Sequence, residues 1–204
     1  FLKLPANQIG LYSLAYGIGN MFNAIVTAIG VAIAPYYMED LANKNNANSS
    51  KNLSFVIQIA LLCSTFIIAI WMKELFSLMI RNEELNKSYG IAIWVLMANN
   101  YAPLRFYFTA HIVYNKYTQV LWKITLSAAI LNVVGNLIVI PIFGITAAAI
   151  VTFISMMMLT LLGFLGKTYK NLQTCELYPI FWFIVSSLIA WLAFVFEISV
   201  WAQK

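Results

Sequence analysis

From Leu53 to Met72 the chain runs for twenty residues without a charge. About that many helical residues cross the hydrocarbon of a bilayer. Comparable apolar runs recur along the sequence with short polar links between them, and this feature decides the solvent in which the chain folds. Of the 204 residues, 62% are hydrophobic and only 9% are charged. A soluble domain carries about 25% charged residues. A soluble fold of this length cannot hide so much apolar side chain, so the solvent is lipid. Lipid offers the backbone no hydrogen bonds, which leaves helices or closed barrels. The runs are continuous rather than alternating, and that selects helices. The expectation is an all-α, polytopic transmembrane bundle of about six spans, at 9–36, 53–72, 89–112, 120–140, 144–165 and 178–200.

The stretch Leu131–Ala149 joins two of these spans at a very short link. Asn132 and Asn136 are four residues apart and so share one helical face. Pro141 lacks an N–H and is expected to end the first helix, while Gly144 relieves the turn. Thr146–Ala149 open the second helix with small side chains, which lets two helices approach closely in lipid.

Elsewhere the links read as follows. Residues 1–8 form a short lead. Pro35, Glu39 and Asp40 mark the exit of the first span, and the Asn, Ser and Lys of 39–52 predict an aqueous loop. Charges flanking Leu75–Ile80 within 73–88 predict a short helix lying on the membrane surface. Residues 166–177 form a polar link. Trp71, Trp94, Trp122, Trp182 and Trp201 fall near span ends, where an aromatic belt would place them. The net charge is +5, with a pI of about 9.2. The basic residues flank apolar runs without aromatic interleaving, so they predict membrane-flanking lysines and no nucleic acid. With 39–52 cytoplasmic, that side holds Lys44, Lys51, Lys116, Lys123, Lys167 and Lys170, a slight excess over Lys3, Lys73, Arg81, Lys87 and Lys204. Cys63 and Cys175 show neither a pairing nor a metal-ligand spacing.

No enzyme, cofactor or metal is expected. The single histidine, His111, has no Cys or Ser partner at a readable spacing, and no Gly-rich loop follows a strand. The acids lie in links except Glu197, which reads as interfacial. What remains is polar side chains within spans, which are costly there and mark function. Arg105 lies within the third span, two residues after Pro103. Its guanidinium suits a phosphate; it would otherwise snorkel to headgroups or bond carbonyls freed by the proline. On the first span Tyr12, Tyr16, Asn20, Asn23 and Thr27 share a face and predict a cavity lining. Asn100, Tyr107 and His111 share another; His111 is either a proton site or interfacial. Asn132 and Asn136 either line a path or bond across helices. Met156, Met157 and Met158 read as packing.

Taken in order, Leu131-Asn132, Asn136, Ile140-Pro141, Gly144 and Ala147-Ala148-Ala149 resemble the polysaccharide transporter family. These are the O-antigen-type flippases of the multidrug/oligosaccharidyl-lipid/polysaccharide exporter superfamily. Ile9–Tyr16, with Ala34-Pro35 closing that helix, resembles a second pattern of the family. The likeness spans essentially the whole chain, as the C-terminal half of a family member. It implies one lobe of a two-lobe flippase, with the N-terminal lobe missing from this chain. It further implies a multi-pass protein of the bacterial inner membrane. Such a protein moves undecaprenyl-diphosphate-linked oligosaccharide by alternating access for surface polysaccharide. Membrane lipids, a coupling H+ or Na+, and polymerase or assembly proteins are the implied partners. Arg105, Tyr16, Asn20, Asn23, Asn100, Asn132 and Asn136 are the residues expected to meet substrate, with His111 as the proton-coupling candidate. The alternatives are a cation-coupled drug or metabolite antiporter of the multidrug extrusion type, a lipid II flippase, a membrane-embedded polysaccharide polymerase or ligase, and a purely structural subunit. The antiporter would be expected to carry membrane-embedded acids, and the enzyme a large polar loop.

Overall fold

The computed structural model describes residues 6–43, 47–80, 88–172 and 177–201, with side chains over 9–43, 49–80, 88–172 and 177–196. Lys3, Lys44, Arg81, Lys87, Cys175 and Lys204, and the side chains of Glu197 and Trp201, lie outside these. Among the described residues the chain is helix and turn without a strand. The helices are α1 (Ala6–Ala42), α2 (Ala47–Ile70), α3 (Met72–Met79), α4 (Tyr89–Ala98), α5 (Ala102–Tyr114), α6 (Gln119–Phe143), α7 (Thr146–Leu165), α8 (Lys167–Leu172) and α9 (Pro179–Trp201). A 3-10 turn, Asn99–Tyr101, joins α4 to α5. Five of the helices (α1, α2, α6, α7 and α9) are long and apolar enough to cross a membrane, the build of a multi-pass membrane protein.

The expected third span is therefore two helices. Pro103 has no N–H for the carbonyl four residues back, and the ladder tightens just before it. This broken segment is the axis of the bundle. Residues Ile91–Ile93 and Val95–Ala98 are buried, as are Asn100–Leu104, Tyr107, Phe108 and Ala110–Ile112. Around it stand α1, α2, α7 and α9, each packed against α4. Their apolar outer faces, such as Met21, Val31, Val56, Ile67, Ile184 and Trp191, stay open. Gly19 lets α1 reach the α4 backbone: a Cβ there would lie 2.8 Å from the Ala92 carbonyl oxygen and 2.9 Å from Val95 Cβ.

Several sequence expectations need correction. Neither Pro35 nor Pro141 ends its helix; α1 continues to Ala42 and α6 to Phe143. Both prolines lie on exposed faces, so the ring meets no neighbouring helix, and in lipid the helix continues because ending it would leave more backbone groups unsatisfied. The start of α1 also takes in part of the expected lead. The loop foreseen at 39–52 is mostly helix. Asp40 accepts hydrogen bonds from the Ser50 backbone N–H (2.6 Å) and from its hydroxyl, so the polar residues cap helix ends. The N–H of Ser50 is among the first four of α2, which have no partner within the helix. Trp71 and Trp122 are exposed, but Trp94 packs between Phe153 and Phe194, and Trp182 is buried against Phe55. Of the five tryptophans assigned to the belt, Trp182 is a core residue and Trp94 is half-buried against the core.

Two local expectations hold, a short helix within 73–88 and a glycine turn at 144. α3 is a short helix that buries Met72 and Phe76 and exposes Leu78 beside Lys73 and Glu74. Gly144 has φ +77°, open to glycine, and its N–H reaches the Ile140 carbonyl at 2.9 Å. Lys51 Nζ lies 5.5 Å from the Tyr178 ring, and His111 lies 5.6 Å from Tyr169. The link from α1 to α2, the turn after α5 and the stretch after α7 therefore share one end of the bundle.

Gly19→Val is expected to overpack the α1–α4 contact and cost roughly 1–3 kcal/mol. Gly17→Ala, where nothing lies within 4 Å, is expected to be neutral. Size-exclusion profiles in detergent check this; a Gly19→Val peak as sharp and as large as that of the parent would show that the helices do not meet this closely.

Candidate functional site

α6 and α7 pack along one another as the hairpin foreseen from Leu131–Ala149, linked by Gly144 and Ile145 alone. Gly135 sets the spacing, since a Cβ there would meet Val151 Cγ1 at 2.8 Å. Thr152 and Ser155 donate their hydroxyl hydrogens up their own helix, to the carbonyls of Ala148 (3.0 Å) and Val151 (2.8 Å). Their lone pairs are thereby left to accept. Asn132 Nδ2 donates to Ser155 Oγ at 3.3 Å and lies 3.5 Å from Thr152 Oγ1. Asn136 Nδ2 donates in turn to Asn132 Oδ1 at 3.1 Å. The row ends on Asn136 Oδ1, a buried oxygen with no hydrogen-bond partner among the described residues.

This row lies in a groove of about 400 Å³ between α1, α6 and α7, which Tyr12, Tyr16, Asn132, Asn136, Thr152, Ser155 and Met156 help to line. The Tyr12 and Tyr16 rings are 5.6 Å apart and tilted. Phenols, amides and hydroxyls over apolar walls offer hydrogen-bonding groups on one side and apolar contact on the other. Arg105 stands behind it. Its Nη1 lies 3.8 Å from Met156 Sδ, and its Cζ lies 5.8 Å from the Phe106 ring centre. Among the described residues no carboxylate pairs with it. The positive charge is half-buried and uncompensated, one methionine away from the groove.

The remaining candidates separate. Asn20 is exposed and Asn23 half-buried on the same α1 face as Tyr16; neither lines the groove. The stripe is thus real as a face, enclosed only at its Tyr12–Tyr16 end. Asn100 is fully buried in the 3-10 turn and bonded to α2, so it does not line the groove. His111 is buried rather than open: it is 2% exposed, packed on the Tyr107 ring at 4.5 Å. Its Nδ1 is 3.0 Å from the Tyr107 carbonyl, which can only accept, so Nδ1 carries the hydrogen. Nε2 is then a bare lone pair, without a partner among the described residues.

Sequence reading passed over Gln58, Thr65 and Thr160, which are all fully buried and polar. The signal was present on the second span. Ser54, Gln58 and Thr65 recur at helical spacing on one face, diluted by the apolar residues between them. Set against known proteins, the chain matches no family model, no curated protein and no solved structure.

Asn132→Ala removes donors and an acceptor from three partners, Asn136→Ala from one. At about 0.6 kcal/mol per interhelical bond, Asn132→Ala is expected to lower the melting temperature more. Equal or reversed shifts in thermal unfolding would refute the bonding order.

Proposed function

We propose that this chain is one lobe of a flippase. It carries undecaprenyl-diphosphate-linked oligosaccharide across the bacterial inner membrane, by alternating access, for O-antigen, capsule or exopolysaccharide. The observation that carries the reading is an arginine with no carboxylate partner among the described residues, set behind a groove of amides, hydroxyls and phenols. A cation held in an apolar bundle without a counter-ion is costly, and it is repaired by an anionic ligand. A diphosphate matches a guanidinium in charge and shape, and the sugars attached to it match the groove. The polar face of α1 supports the same reading. Asn20 and Thr27 are exposed on a span-length helix, and polar groups there avoid lipid, which favours a cavity or a second lobe on that side. Polymerase and assembly proteins would receive the delivered substrate. The resemblance in Ile9–Tyr16 and Leu131–Ala149 points the same way.

Charge-assisted hydrogen bonds are worth about 1.5–3 kcal/mol. Arg105→Ala is therefore expected to lower transport roughly 10- to 100-fold with membrane insertion unchanged, and Arg105→Lys to retain part of it. The test is the leaflet distribution of lipid-linked oligosaccharide in extracts from cells carrying each variant or lacking the gene. Build-up on the cytoplasmic side with loss of surface polymer supports the reading. Unaltered lipid intermediates and polymer would overturn it in favour of a drug or metabolite exporter.

A further inference from the structure

Where α9 begins, a cavity of about 330 Å³ is walled by Phe164, Tyr169, Leu177, Pro179 and Phe181, with Tyr178 and Ile180 completing the lining. Phe164, Tyr169 and Leu177 are buried, whereas Ile180 and Phe181 are exposed on a helix long enough to span a membrane. The cavity therefore runs from the core to the hydrocarbon, and its volume falls in the range of small-ligand sites. A cation stands beside it. Lys51, one turn into α2, places its Nζ 5.7 Å from the Phe55 ring centre and 5.5 Å from that of Tyr178. Among the described residues it meets these two rings and no carboxylate. Asp40, the acid that closes the α1–α2 link, is already taken by Ser50. Tyr178 carries a φ of +47°, an outlier for a bulky side chain, so its ring is held there against the preference of its own backbone. Lys167 and Lys170 are exposed on α8, on either side of Tyr169.

We propose that this cavity binds one anionic phospholipid, with the phosphate at Lys51 and part of one acyl chain among Phe164, Tyr169 and Phe181. Each part of the lipid has a match. Two ring faces attract an ammonium, but they accept its hydrogens far more weakly than a phosphate oxygen does. The lysine stem lies along Phe55 with its charged head outward, as at a span end that meets the headgroup layer. The apolar walls favour an amphiphile over a free phosphate, which has no chain to bury there. A zwitterionic headgroup would bring its own cation towards Lys51, Lys167 and Lys170, whose like charge repels it. A headgroup of net negative charge is drawn by all three. Lys123 is exposed at the same end, over the Trp122 ring, and does not line the cavity, so it separates a built site from the general pull of a basic surface. The cavity shares no lining residue with the Asn132–Asn136 groove.

The test is native mass spectrometry of the purified, delipidated chain in detergent, titrated with phosphatidylglycerol or phosphatidylcholine and without lipid-linked oligosaccharide. One phosphatidylglycerol is expected to bind saturably, ahead of phosphatidylcholine by roughly 5- to 10-fold in affinity. Lys51→Gln should remove that preference. Ile180→Trp, which fills the cavity from an exposed position, should weaken both lipids. Lys123→Gln, the same charge change away from the cavity, should bind as the parent does. Glycerol 3-phosphate, which has the anion without the chain, should not displace the lipid. Equal retention of the two lipids by the unmodified chain would overturn the proposal, and that result needs no variant to fold. Equal losses in Lys51→Gln and Lys123→Gln would overturn it in favour of general charge attraction. Full displacement by glycerol 3-phosphate, or unchanged binding in Ile180→Trp, would remove the acyl chain from the site and overturn it too. None of these outcomes touches Arg105 or the leaflet distribution of the cargo, so this proposal and the flippase reading fail separately.

Discussion

Inside a bilayer a peptide carbonyl has no water to turn to, and the architecture follows from that. An unbroken helix satisfies its own backbone and can stand anywhere, including facing lipid. A broken one cannot. The segment from Tyr89 to Tyr114 is interrupted at Asn99–Tyr101, and it is the segment the bundle surrounds. The side chains that reach its joint come from two different neighbours. Gln58 and Thr65 arrive from α2, and Thr160 from α7, 3.4 Å from the Tyr101 carbonyl. On the α9 side the Tyr101 hydroxyl meets Ser187 at 3.0 Å. The helices that can afford exposure are outside, and the one that cannot is in the middle.

How much of this was legible depends on whether a residue acts locally. Gly144 could be read because positive φ is a property of glycine itself, and the turn needs nothing else. The small residues Ala147–Ala149 could be read because close approach is written in side-chain size. Pro35 and Pro141 misled because a proline can bend a helix without ending it, and both helices run on past theirs. The polar run after Glu39 misled as well. Asp40 and Ser50 look like loop residues one at a time, yet they close a helical hairpin when they meet.

The candidate site was legible in its chemistry and not in its grouping. Arg105, Tyr16, Asn132 and Asn136 were recognisable as costly within an apolar span, and the structure brings Tyr16, Asn132 and Asn136 to one groove with Arg105 behind Met156. Asn100 is equally costly, but it is used to hold the backbone break. Sequence cannot separate those two uses, because the cost of burying an amide is the same whether a ligand or a neighbouring helix satisfies it. Gln58 and Thr65 were missed because a stripe of two or three polar groups on an otherwise apolar span barely alters its average.

The hairpin of α6 and α7 bears on how such a chain is made. Along α6 only Ile124 and Ala128 are buried, and the helix leans chiefly on α7, to which a two-residue link ties it. A segment with so little of its own surface in the core gains almost nothing by docking before its partner exists. Its neighbour emerges directly after it, already carrying the alanines and the hydroxyls that receive it. The two are therefore suited to leave the insertion machinery as a pre-paired unit. In that order the Asn132–Ser155 bond forms during biogenesis, ahead of the bundle it later joins.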